Sequence, residues 1–212
     1  MQTVVIKDNN LSYAVEVLRS GGLVGVPTET VYGLAGNGLD ASAVSMIYEV
    51  KGRPAVKPLS LLVADCDVAA TVCAETPEAL KLFEKAKILA KAFWPGPLTI
   101  VLPCSDIVPQ IVTAGGDTIG VRCPDHPKTL ELLRLAGVPA ACPSANISDM
   151  PSPKKAQDVL DYFEGKIPCV IDGGICTLGV ESTIVSLTQE PYKIIRQGAL
   201  PEADIKHVLG IE

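Results

Sequence analysis

The sequence predicts an α/β fold built on a twisted mixed sheet with flanking helices. Short apolar runs of strand length alternate with helix-period segments from one end to the other. Glycine and proline punctuate the joins, as in Gly21-Gly22 and Pro95-Gly96-Pro97. In the second half several strands follow one another with no helix between them, which an all-parallel sheet does not allow. At 212 residues with 48% apolar content, the chain suits one domain over residues 1–212 with a sizeable core.

In order, Thr3 to Ile6 is β-branched and apolar, and Leu11 to Ser20 carries Leu11, Ala14, Val15 and Leu18 at helical spacing. Leu23 to Val26 is a buried strand between Gly22 and Pro27. Asp40 is an N-cap for a helix to about Val50. Leu59 to Val63 is a strand, and Thr76-Pro77 opens a long helix that Pro95 stops. Leu98 to Leu102 and Ile119 to Arg122 are strands. Pro127 to Ala136 is a helix ended by Gly137, and Val138 to Cys142 is a strand. Ser152-Pro153 is expected to cap a helix to about Phe163. Cys169 to Ile171, Ser182 to Val185 and Tyr192 to Arg196 are strands, and a short helix follows Pro201.

Composition removes several function classes. A net charge of −6 argues against a general nucleic-acid binder. Seven cysteines at no knuckle-like spacing and only two histidines argue against a zinc site, and reduced buried thiols are the expectation. No apolar run approaches the roughly 18 residues of a membrane span. The N-terminus has no basic, apolar leader, so the expected compartment is the cytoplasm.

Five polar segments sit at strand ends or turns, where open α/β sheets place ligands. In Pro27-Thr-Glu-Thr-Val-Tyr-Gly-Leu34, a rigid strand aims hydroxyls and a carboxylate; a threonine-rich turn with Tyr32 at the core edge is the plainer reading. In Lys51-Gly-Arg-Pro-Ala-Val-Lys57, three cations follow a helix on a proline-stiffened loop. Arginine offers a planar fork and lysine a point charge for phosphate oxygens. A helix C-terminus accounts for Lys51 alone. In Val112 to Arg122, Thr118, Gly120 and Arg122 share one strand face. An inward arginine needs an anion, either a ligand or a structural Asp or Glu. The fourth segment, Cys142-Pro-Ser-Ala-Asn146 with Ser152, ends at a helix start whose N–H groups suit an anion. The fifth is Gly179 to Ile184, joined by Arg196-Gln-Gly198.

No phosphate-binding Gly-x4-Gly-Lys loop, dinucleotide fingerprint or nucleophile elbow is present. The formal Ser152-x-x-Lys155 match is discounted, because Pro153 and a capping role explain it. Without a general-base constellation, chemistry at this site would rest on positioning and charge neutralisation, which dominate transfer at phosphorus.

Taken in order, Pro27–Leu34, Lys51-Gly-Arg-Pro54 with Lys57-Pro-Leu59, Trp94-Pro-Gly-Pro-Leu-Thr99, Val121-Arg122, Pro143-Ser-Ala-Asn146 and Glu181-Ser-Thr183 resemble the YrdC/TsaC family of threonylcarbamoyl-AMP synthases. The resemblance spans nearly the whole chain, and the ordered set is far more specific than any one motif. It implies a YrdC-like fold around a large concave basic cavity. It implies a nucleotidyltransferase that joins L-threonine, bicarbonate and ATP, with Mg2+ on the phosphates, into threonylcarbamoyl-AMP and pyrophosphate. A separate tRNA threonylcarbamoyl transferase complex would pass the group to tRNA adenosine, and weak direct tRNA binding is a further expectation.

By motif match, Thr30, Arg122, Cys142 (through its backbone) and Ser182 would contact threonine. Arg53, Lys57, Thr118, Ser144, Ser152 and Arg196 would surround ATP, and Lys51 and Arg53 would be the catalytic cations. Two departures stand out. Leu62 occupies the place of a histidine of longer family members. The chain also ends soon after Arg196, short of their second domain, so cavity closure is expected from within the domain or from a partner. The rival readings are a noncatalytic RNA-binding module and a carbamoyl-adenylate-forming domain like the YrdC-like part of hydrogenase maturation proteins.

Overall fold

The computed structural model describes residues 2–211. Ten strands and eight helices run β1 (Val4–Ile6), α1 (Ser12–Arg19), β2 (Val24–Val26), β3 (Gly33–Asn37), α2 (Ala41–Lys51), β4 (Ser60–Leu62), α3 (Cys66–Thr71), α4 (Pro77–Phe93) and β5 (Leu98–Pro103). They continue α5 (Gln110–Thr113), β6 (Thr118–Arg122), α6 (Pro127–Ala136), β7 (Ala140–Ala141), α7 (Ala156–Phe163), β8 (Cys169–Ile171), β9 (Thr183–Ser186), β10 (Lys193–Arg196) and α8 (Glu202–Leu209). The strands form one sheet in the order β1-β8-β2-β3-β7-β4-β6-β5-β9-β10. It is mixed: β4 pairs with β6 and β5 with β9 in parallel, whereas β6 and β5 are antiparallel.

Local chemistry explains most boundaries. The Asp40 carboxylate accepts from the Ser42 and Ala43 N–H groups at the start of α2, and Gly52 closes it at a positive φ of 59°. Thr76 caps α4 through the Ala79 N–H, with Pro77 at the first helical position. Ser152 does not cap α7, contrary to expectation. The chain stays extended to Lys155, and the Asp158 carboxylate reaches back to the Lys154 and Lys155 N–H groups instead.

Successive strand residues divide between two cores, one on each sheet face. Leu34, Leu61 and Val170 join Ile47, Leu89 and Phe163 in one, while Ala35, Leu62 and Ile171 join Leu18 and Leu133 in the other. The cavity described next opens on the Leu62 face. Among residues 2–211, no helix is long and apolar enough to cross a membrane.

Candidate active site

A cavity gathers side chains from the loop after β2, the ends of β4, β5 and β6, the turn after β7, and the approach to β9 and β10. Its lining includes Thr28, Thr30, Arg53, Leu62, Thr99, Arg122, Cys142, Ser144, Glu181, Ser182 and Arg196. Three arginines and one carboxylate line it, an excess of positive charge that suits anions. Register explains the floor: β4 and β6 pair Leu62 with Arg122 and Ser60 with Gly120, so these residues share a face.

Thr28 and Thr30 form a buried pair, their hydroxyl oxygens 2.8 Å apart. The Thr28 hydroxyl donates to the Val31 carbonyl at 2.6 Å. Its only proton is thereby used. Thr30 therefore donates to Thr28 and keeps its lone pairs as acceptors toward the cavity.

The cluster at residues 51–57 separates into three roles. Lys51 does not line the cavity. It is 1% exposed, and its ammonium donates to the Ser144 and Asn146 carbonyls at 2.5 Å each and to Asn146 Oδ1 at 3.3 Å. Burial, helped by the Arg53 charge, lowers its pKa to about 8. It holds the 144–146 turn from behind. Arg53 does line the cavity, while its Nε and Nη2 donate to the Lys57 and Pro58 carbonyls at 3.1 and 2.9 Å. Lys57 is exposed, 3.5 Å from Asp149, and outside the lining residues.

On β6, Arg122 lines the cavity but Thr118 does not. Arg122 Nε donates to the Gly96 carbonyl at 3.1 Å, and Nη2 lies 2.8 Å from Glu29 Oε1. That approach is close but poorly aligned, so neither Nη2 nor Oε1 has a hydrogen-bond partner. The other carboxylate oxygen of Glu29 accepts from the Asp125 N–H at 3.1 Å. Of the two anionic partners left open by the sequence, the structure supplies the carboxylate of the chain itself, Glu29, and the guanidinium also lines the cavity.

Ser144 lines the cavity and donates to Asn146 Oδ1 at 2.6 Å. Ser152 is outside the lining and donates to Glu181 Oε1 at 2.6 Å. That bond, with Arg196 and Lys154 nearby, holds the Glu181 carboxyl below its ordinary range. Arg196 clasps the Ser182 carbonyl with Nε and Nη2 at 3.1 and 2.9 Å and reaches Ser182 Oγ at 3.1 Å. Burial pushes the Cys142 thiol up to about 12 despite the opposing charges of Arg122 and Lys51. At neutral pH it lines the cavity as the uncharged thiol.

The Sua5/YciO/YrdC family profile, described as telomere recombination, matches residues 16–198. The chain belongs to this family. It is 47% identical over 205 residues to a Pyrococcus abyssi protein named threonylcarbamoyl-AMP synthase, covering 97% of this chain and 58% of that one. A Bacillus subtilis protein of the same name is 43% identical, with 96% and 57% covered. The structure of P. abyssi Sua5 complexed with L-threonine superposes with a TM-score of 0.93 at 46% identity, over 98% of this chain and 61% of that one. The chain thus spans about three-fifths of the length of these relatives.

Seven of the eleven residues expected at the site meet in the cavity: Thr30, Arg53, Arg122, Cys142, Ser144, Ser182 and Arg196. Lys51, Lys57, Thr118 and Ser152 do not line it. Sequence reasoning missed Thr99 and Glu181 as lining residues and Glu29 as the partner of Arg122. All three lie inside quoted motifs, and only their spatial neighbours reveal the roles.

Proposed function

We propose that this chain adenylylates N-carboxylated L-threonine, forming threonylcarbamoyl-AMP and pyrophosphate from threonine, bicarbonate and ATP. The observation that carries this reading is the buried, incompletely bonded Arg122 guanidinium in one cavity with Arg53 and Arg196. A carboxylate-sized anion fits the first and a polyphosphate the other two. The names of the relatives and the threonine complex of the P. abyssi protein support the same chemistry.

Arg122 would hold the threonine carboxylate, and the Thr30 lone pairs would orient the nitrogen. That nitrogen, once it has lost its ammonium proton to solvent, bonds to the bicarbonate carbon as a C–O bond breaks and water leaves, giving a carbamate, already an anion. One of its oxygens forms a bond to the α-phosphorus of ATP while the bond from that phosphorus to the bridging oxygen breaks, releasing pyrophosphate. The attacking atom carries no proton, so this transfer to phosphorus needs no general base, in accord with a neutral Cys142 and an already engaged Lys51. Arg53 and Arg196 would offset the phosphate charge. The assignment of Lys57, Thr118 and Ser152 to ATP rests on family motifs alone.

Mg2+ takes one or two carboxylates plus substrate phosphates. Glu181 is the carboxylate in the lining, and no cluster of three or more metal-ligating side chains exists among the described residues. This donor set fits an ion carried in on the triphosphate, where it would neutralise phosphate charge. We further place the reaction in the cytoplasm, with a separate transferase passing the product to tRNA and direct tRNA contact weak. Pyrophosphate release tests the reading. It should require ATP, bicarbonate and threonine together, and release of phosphate with ADP would contradict it.

A further inference from the structure

Thr99, at the start of β5, is 2% exposed yet lines the cavity. Its parallel pairing with Ile184 of β9 brings its Oγ1 to 2.8 Å from Ser182 Oγ. Its methyl group is placed by a different neighbour. A Cβ added at Gly120 would come within 3.2 Å of Thr99 Cγ2, so the bare Gly120 backbone is where the methyl packs. A β-branched side chain held this way has little χ1 freedom. The hydroxyl is therefore fixed on the Ser182 side.

Proton counting gives the pair a direction. A hydroxyl has one proton and two acceptor lone pairs. Ser182 Oγ accepts from Arg196 Nη2 at 3.1 Å, and its other protein partner is Thr99. If Thr99 donates to it, both lone pairs of Ser182 are filled and its own proton is left for the cavity. The guanidinium on Ser182 makes that proton the more acidic of the two, and a carboxylate in the cavity, a stronger acceptor than the Thr99 hydroxyl, takes it, which leaves Thr99 as the donor to Ser182.

We propose that Thr99 is a positioning residue: together with Arg196 it saturates the acceptor sites of Ser182 and fixes that hydroxyl as a donor to a carboxylate or carbamate oxygen of the amino-acid substrate. The proposal rests on the reading of this cavity as a threonine-adenylylating site. It deepens that reading by tying a residue outside the expected contact set to the amino-acid half.

The test is steady-state pyrophosphate release by the full chain with Thr99→Val, which keeps the shape, and Thr99→Ser, which keeps the hydroxyl. Losing one hydrogen bond should raise the threonine KM about tenfold in the Val variant. The ATP KM should stay within about twofold, and the Ser variant should recover most of the loss. In a Ser182→Ala background, Thr99→Val should add nothing further. An unchanged threonine KM in the Val variant would overturn the proposal, as would an equal rise in both KM values or a full additional effect without Ser182. Should the Val variant not fold, Thr99→Ala carries the same expectations. A wild-type protein that forms no product from threonine would overturn the underlying reading and the proposal with it. Normal wild-type turnover with a normal Val variant would sink the proposal alone.

Discussion

Arg122 Nη2 lies 2.8 Å from Glu29 Oε1, with both side chains less than a tenth exposed. This pairing ties the loop after β2 to the end of β6 and gives the cavity its deepest cation. Removing one partner of a buried ion pair leaves an uncompensated charge, typically at a cost of about 3–5 kcal/mol. Glu29→Gln keeps the shape and should lower unfolding free energy by about 3 kcal/mol in urea titration. Wild-type stability in that variant would mean that the poorly aligned contact contributes nothing.

Arg122→Lys tests the guanidinium itself. One ammonium cannot serve the Gly96 carbonyl, the Glu29 carboxylate and a ligand carboxylate in the geometry of a planar fork. Threonine binding should weaken by about 1–3 kcal/mol, the scale of a lost charged hydrogen bond. ATP affinity measured without threonine should change far less. Calorimetric titration of each ligand would decide it, and collapse of ATP binding with threonine binding intact would reverse the division of the cavity.

Arg53→Ala should lower turnover about tenfold or more, through loss of a contact worth roughly 1.5–3 kcal/mol to a charged ligand. The structure adds a second consequence. Arg53 also secures the Lys57 and Pro58 carbonyls, so melting should report a modest loss near 1 kcal/mol. Normal product formation would reduce Arg53 to a loop brace.

Lys51 predicts a pH dependence. Its folded pKa of about 8 is below the ordinary 10.5. Between those values the unfolded chain holds a proton that the folded chain has released, so this group makes stability rise with pH there. Relative to Lys51→Met, the wild type should gain about 1–2 kcal/mol between roughly pH 7.5 and pH 9.5. Urea unfolding at the two pH values checks this. An equal response from both proteins would leave Lys51 unperturbed by its burial.

Much of the fold was legible because its signals are local. Asp40, Thr76-Pro77 and Gly137 fix helix ends through their own backbone neighbours. The strand β3 escaped because its sequence, Gly-Leu-Ala-Gly-Asn, has no strand pattern. Its place depends on close packing, since a Cβ at Gly33 would fall 2.3 Å from Cys142 Sγ. Ser152-Pro153 read as a cap, but a tertiary partner, Glu181, claims the hydroxyl. At the site, the ordered motifs marked the cavity, while the separation of Lys51 from Arg53 depends on burial that no linear charge cluster reveals. Thr99 likewise meets its partner 83 residues further along the chain.

The central claim is that a carbamate made from threonine and bicarbonate attacks the α-phosphorus of ATP. The most direct measurement is mass spectrometry of the nucleotide product after incubation with 13C-bicarbonate, 15N-threonine and ATP. The account predicts an AMP adduct carrying both labels, with pyrophosphate in equal amount. An AMP adduct lacking either label, or ADP in its place, would contradict it.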